Sequence, residues 1–406
     1  MTSIQRLNSL ALLALLGAAA AIACAADPDV ELGTQMPPDS TSVPDASAAL
    51  DSGEDAADAD AGMAPCSASG LCVVPAPIDT RINVTSVSGS GAKDVWAVGT
   101  DRTILHYDGK VWDKADTIPN DAASFTMRAV WVGGPGDIWV TDGPRLRHST
   151  GWKGPSATEW ESVLLVDPNT MPSAISGNGT KVMIGSQLVD GSNAPFGVIT
   201  ACSGWSDGGL REPVYVQNQL FHNFGADGLW TMAMTGPNEA WGVTVPRSPG
   251  PGTVDPGNGI ARAYRVSPDG GAEGAEAPWQ TDLYDSRTGK NLYGVWGDEH
   301  AVWVVGEGGT LRRMLPENLS TRVFENVISP VTADLRGIYG FAADDIWAVG
   351  DDATVIHWNG KDWTRLASPF DTASAKPRLF AVWGSAPNDV WIGGNGVMLH
   401  FEGKAP

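Results

Sequence analysis

LRGIYGFAADDIWAVGDDATVIHWNGKDWTRLAS, residues 335–368, holds four short runs rich in aromatic and β-branched residues, separated by Gly, Asp and Asn. LRGIYGF (335–341), DIWAVGD (345–351), TVIHWNG (354–360) and DWTRLAS (362–368) read as successive strands A, B, C and D. Asn359-Gly360 suits the tight C–D hairpin, because both residues tolerate positive φ. The central phrase recurs as KDVWAVG at Trp96, GDIWVTD at Trp139, NEAWGVT at Trp241, HAVWVVG at Trp303 and NDVWIGG at Trp391. A worn copy, ISGNGTKVMIG, puts Met183 where the tryptophan should stand. The step is 43 residues from Trp96 to Trp139 and 44 from Trp303 to Trp347 and from Trp347 to Trp391. Repeats of that length stack or close into rings. The reading is an all-β, seven-bladed β-propeller of four-stranded antiparallel blades.

The last unit supplies only three strands, LFAVWGS (379–385), DVWIGGN (389–395) and VMLHFEG (397–403). LCVVPAP (71–77) precedes the first blade and belongs to none of the seven units. It is expected to complete the last blade as its outer strand, removing two open sheet edges.

The charge is lopsided, with a formal net of −21. Ten acids lie between Asp27 and Asp60 with no Lys or Arg among them. Nucleic acid is therefore excluded as a partner by long-range repulsion. Residues 24–65, rich in Asp, Ala, Ser and Pro, cannot bury enough apolar surface to fold and read as a disordered tether. Residues 1–23 read as a signal peptide, with Arg6 ahead of the apolar run LALLALLGAAAAIA. Residues 66–406 are then the propeller. Ala21-Ile22-Ala23-Cys24 resembles a bacterial lipobox, which implies a lipid anchor on Cys24 as the sole membrane contact. Ala25 after that cysteine, under the same resemblance, implies the outer membrane; the alternative is an ordinary secretory signal cut near Ala23 or Ala26. Export implies an oxidising compartment, where Cys66 and Cys72 could close a short loop. A Cys72–Cys202 bond stays open as an alternative. No spacing suits a metal, and no cofactor is expected.

The repeat absorbs most residues that would otherwise suggest chemistry. His106, His357 and His400 share one register, and His148 is close to it, so all four are expected to serve the blade. Acids two before the tryptophan (Asp94, Asp137, Glu239, Asp345, Asp389) are expected to accept backbone N–H bonds in the A–B turn. The in-register tryptophans are expected to pack between blades, whereas Trp160 and Trp230 stand outside the registers and are candidates for stacking on a sugar.

Two sets of residues remain. Insertions at 187–196, 211–227 and 246–259 crowd one sector and nominate Arg211, His222, Arg247, Arg262 and Tyr264 as ligand contacts. Arg128, Arg336 and Arg378 stand at or just before strand A, where guanidiniums would ring a channel mouth and suit a carboxylate or phosphate.

The phrases VWG, DVWAVG and ILHYDGKVW resemble the repeats of secreted bacterial β-propellers related to tectonin-like and BNR-like proteins. That resemblance spans about 82 to 404 and implies a lipid-anchored, extracytoplasmic binding module, monomeric, for a protein or glycan of the cell envelope or exterior. Fold does not settle function. A sialidase-like hydrolase or lyase would use an arginine cluster, yet the Ser-x-Asp-x-Gly box is missing and Tyr293 and Tyr339 fit repeat positions. No catalytic constellation is recognised, so the expectation is no enzyme. A structural envelope protein without a ligand is the other alternative.

Overall fold

A computed structural model of the chain describes residues 66–115, 125–165, 170–188, 199–216, 226–246, 259–265 and 279–403. The expected signal peptide, Cys24 and tether lie outside the described residues, as do His222, Arg247 and most of the three insertions. Everything below concerns the compact unit that ends at Pro406.

Blade 6 has the strand pattern read from sequence: Leu335–Ala342, Asp345–Gly350, Thr354–Trp358 and Trp363–Arg365 pair in that order, all antiparallel. Blade 1 repeats it with Val84–Gly91, Asp94–Gly99, Ile104–Tyr107 and Trp112–Lys114. Blades 2 and 5 are likewise separate four-stranded sheets. Blades 3 and 4 are joined by a single pairing, Gln187 of the blade 3 B strand (Val182–Leu188) with Gly228 of the blade 4 A strand (Ala226–Gly236). The inner A strands of successive blades pack side by side, and that of blade 7, Leu379–Ala386, packs on that of blade 1. Seven blades thus close a ring. The C–D hairpins carry the expected left-handed glycines, Gly109 at φ 95° and Gly360 at φ 88°.

Ring closure uses the N-terminal strand. Leu71–Val74 pairs antiparallel with Val397–Glu402, setting Leu71 opposite Phe401 and Val74 opposite Met398. The strand is shorter than the expected 71–77, because Pro75 has no N–H to give the ladder. Cys66, ahead of the strand, forms a disulfide with Cys72 within it, and Cys202 is a buried thiol outside any disulfide. The Cys72–Cys202 alternative is not realised.

Strand A is bulged after its first paired residue, and the residue that leaves the ladder there faces the channel. In the first position Met127, Leu229, Leu335 and Leu379 are fully buried. Further along, the rings of Trp131 and Trp296 lie on glycines of the next blade. A Cβ on Gly177 would sit 2.3 Å from Trp131, and one on Gly340 would sit 2.7 Å from Trp296. No larger residue could stand there without moving an indole.

Leu71 is fully buried against blade 7 together with Phe401 and Leu399. Leu71→Ala is expected to cost about 2–5 kcal/mol, read as a lowered midpoint in denaturant unfolding with the slope unchanged. A midpoint equal to wild type would show that the closing strand contributes nothing.

Candidate functional site

The repeated acid does not chiefly serve the A–B turn, as expected from sequence. Its carboxylate binds side chains. Asp94 Oδ1 accepts from Trp96 Nε1 at 2.9 Å and from His106 Nε2 at 3.0 Å. Asp137 does the same for Trp139 (2.6 Å) and His148 (2.9 Å), and Asp345 for Trp347 (3.1 Å) and His357 (2.8 Å). In blade 7, Asp389 accepts from His400 at 2.6 Å. Each of the four repeat histidines is therefore committed to the acid of its blade, and His400 also meets Glu402 through Nδ1 at 3.2 Å.

Each of six indoles is capped by aromatics from the following blade. Trp152 and Trp160 meet the Trp96 ring edge-on at 5.8 and 6.0 Å, and Trp205 meets Trp139 at 5.4 Å. Phe324 caps Trp241, Trp358 and Trp363 cap Trp303, and Phe401 caps Trp347. Tyr107 and Trp112 of blade 1 cap Trp391 of blade 7, so the aromatic packing closes with the ring. Trp160 is thus part of this packing and not a free stacking platform, which corrects the sequence reading.

Arg262 and Tyr264 also belong to the repeat. Arg262 lies opposite Trp241 in the ladder, in the column held by histidine elsewhere. It bonds Glu239 at 2.5 Å and Tyr284 Oη at 3.3 Å, and lies over the Trp241 and Tyr264 rings. Tyr264 donates to Asp282 and pairs across from Glu239, at the A–B end of the blade. Arg211 bonds Ser203 and holds the 203–211 hairpin of a C–D connection, on that same end. The B–C insertions leave from the opposite end. Arg211, Arg262 and Tyr264 are therefore not brought together with the channel-mouth arginines.

The mouth at the start of the A strands is the site the structure assembles. The central channel, about 530 Å³, is lined there by Thr85, Arg128, Trp230, Tyr293, Arg336 and Phe380. Thr85, Trp230, Tyr293, Arg336 and Phe380 are each skipped by the A–B ladder at a bulge, and Arg128 holds the equivalent place two residues ahead of Val130. Arg336 lies over Tyr293 at 4.9 Å and Phe380 at 5.9 Å. Its guanidinium bonds Asp351 through two nitrogens and Asp334 at 3.4 Å, and the Asp351 bonds chiefly raise its pKa. Arg378 sits outside the channel lining, 61% exposed, with Nε 3.6 Å from Asp351.

Arg128 differs. It lies over the Trp230 ring at 5.3 Å and has no ion pair among the described residues. It is open to channel water yet hemmed by the wall, and that burial lowers its pKa. Trp230, 43% exposed, is the large apolar surface of this mouth. Burial first, and then the charge of Asp334, raise the Tyr293 phenol, which makes it a poorer nucleophile at neutral pH. Among the described residues no group of three His, Cys, Asp or Glu could hold a metal ion.

No protein-family model and no curated protein sequence matches the chain. Solved structures do match. A structure of YCF48 bound to a D1 peptide aligns over 82% of this chain and 97% of its own, with TM-score 0.58 and 16% identity. YCF48 from Cyanidioschyzon merolae aligns over 82% and 99%, with the same score and identity. A streptogramin B lyase aligns over 81% and 96%, with TM-score 0.53 and 15% identity. The likeness shows the fold.

The carboxylates of Asp94, Asp137 and Asp389 are half-buried. Burial is the largest single influence and opposes their charge, but bonds from His106, Ser90 and Trp96, from His148 and Trp139, and from His400 and Ser385 together outweigh it and hold each below the ordinary carboxylate value. A depressed native pKa stabilises the fold above the unfolded value, about 3.9 for Asp, and that stabilisation is lost as pH falls through the native value. The melting temperature is thus expected to drop below about pH 4, and Asp94→Asn to shrink that drop while lowering stability at neutral pH. A wild-type acid limb in Asp94→Asn would refute the assignment.

Proposed function

We propose that the chain is a binding module, not an enzyme, and that it takes a protein partner at the mouth formed by the starts of the A strands. The observation that carries this reading is Arg128. A cation without an ion-pair partner among the described residues, laid on an exposed tryptophan inside a concavity, is an arrangement that a ligand completes. A cavity of about 530 Å³ lies within the usual range for a ligand site. YCF48, a likeness in fold only, has been solved with a peptide bound, which is why protein is preferred to glycan. The raised Tyr293 phenol and the histidines held by Asp94, Asp137, Asp345 and Asp389 argue against the sialidase-like alternative.

The place of action is part of the same proposal. A signal peptide, a lipidated Cys24 and a tether would set the propeller outside the cytoplasm at the outer membrane. The Cys66–Cys72 disulfide supports an oxidising compartment.

The test is capture from cell-envelope extract by wild type and by a Trp230→Ala variant, beside a glycan array. Loss of a central interface aromatic should weaken partner binding about tenfold or more, with an unchanged melting temperature. Partner capture indifferent to Trp230→Ala would place the interface elsewhere, and saturable glycan binding lost in Trp230→Ala would replace protein by sugar.

A further inference from the structure

The two channel arginines are equivalent by repeat and unequal by surroundings. Arg336 has Asp334 two residues before it and Asp351 after strand B, and both carboxylates bond it. The same two places around Arg128 are held by Thr126 and Gly143. The neighbouring acid, Asp142, is almost fully buried and already bonded by Arg102 and Arg147, each at 2.6 Å. The sequence has thus kept the guanidinium in blade 2 and removed its acids. An exposed guanidinium laid on an aromatic face with no acid beside it keeps its N–H donors for a bound anion.

We propose that Arg128 anchors a carboxylate of the bound segment, with the guanidinium held on the face of Trp230 and the fork of N–H donors left for the ligand. This rests on the reading of the mouth as a protein-binding site. Two features favour a carboxylate over a phosphate. One guanidinium fork matches one carboxylate, two parallel bonds for a single charge. Among the described residues the one other arginine of the channel lining is neutralised by Asp334 and Asp351, so a dianion would meet repulsion without a second cation. Tyr293 and Phe380 give apolar wall for side chains flanking that carboxylate. The cavity admits the end or a short extended stretch of a chain, and not a folded domain.

The carboxylate has two possible sources, a chain's own C-terminus or an Asp or Glu side chain. Matched pools of random-sequence peptides separate them: free-acid against amidated C-termini, and Asp/Glu-containing against Asn/Gln-containing. Binding to the purified protein would be measured for wild type, Arg128→Lys and Arg128→Gln, with melting temperatures to confirm folding. Wild type should prefer one acid pool by about tenfold to a hundredfold, the worth of a charged hydrogen-bonded pair. Arg128→Lys should keep part of that preference, and Arg128→Gln should bring the ratio near one. Peptides that bind wild type without acid preference, or a preference that survives Arg128→Gln, would overturn the anchor and leave the protein-binding reading standing. Absence of binding in every pool would overturn that reading, and the anchor with it.

Discussion

The ring depends on one contact made six times: the indole of a blade's B strand against aromatic rings brought by the following blade. Each of those indoles is fully or almost fully buried. Its N–H must therefore find an acceptor or be left desolvated, at a cost of about 1–3 kcal/mol. In blades 1, 2, 4 and 6 an acid two residues upstream accepts it. Two residues along a strand put both side chains on one sheet face, so the spacing of the DxW phrase is itself the hydrogen bond. The histidine or arginine opposite on strand C then bonds the carboxylate. Apolar packing between blades and a polar clamp at the edge are thus one unit.

Seen this way, the departures among blades are coherent. Blade 3 has Met183 for the tryptophan, Ala201 for the histidine and Lys181 for the acid, so all three members of the clamp are lost together. A thioether needs no acceptor, and nothing is left unsatisfied. Blade 5 keeps Trp303 but has Ala301 in the acid position; Arg313 takes the histidine column and turns to Glu325 on strand D. The repeat tolerates substitution where charges stay balanced.

Much of this fold was legible in the sequence because it is periodic. The tryptophan spacing and the four runs of 335–368 gave the blade, and the missing fourth run after Phe401 pointed to 71–77. Side-chain pairing between strands was less legible. The DxW acid was assigned to backbone because spacing along one strand does not show what lies opposite on the next. Arg262 looked like a loop-insertion contact for the same reason, until the ladder placed it across from Trp241. Trp160 fell outside every register because it reaches back to Trp96 from a connection of different length. For the candidate site, alignment of the A and B runs of blades 2 and 6 would have distinguished Arg128 from Arg336. The signal was Thr126 and Gly143 standing where Asp334 and Asp351 stand.

The outer strand of blade 7 carries a further implication, for the order of assembly on the ribosome. Leu71 leaves the ribosome long before its mate Phe401, so the seal joins two stretches of chain made far apart in time. Contacts between residues so distant in sequence form slowly, because loop closure must precede any reward. Until residue 401 emerges, blade 1 has an uncovered inner flank where blade 7 will dock. A nascent chain of six finished blades is therefore an open arc with two sticky ends, exposed to pairing with a neighbour until the seventh blade docks.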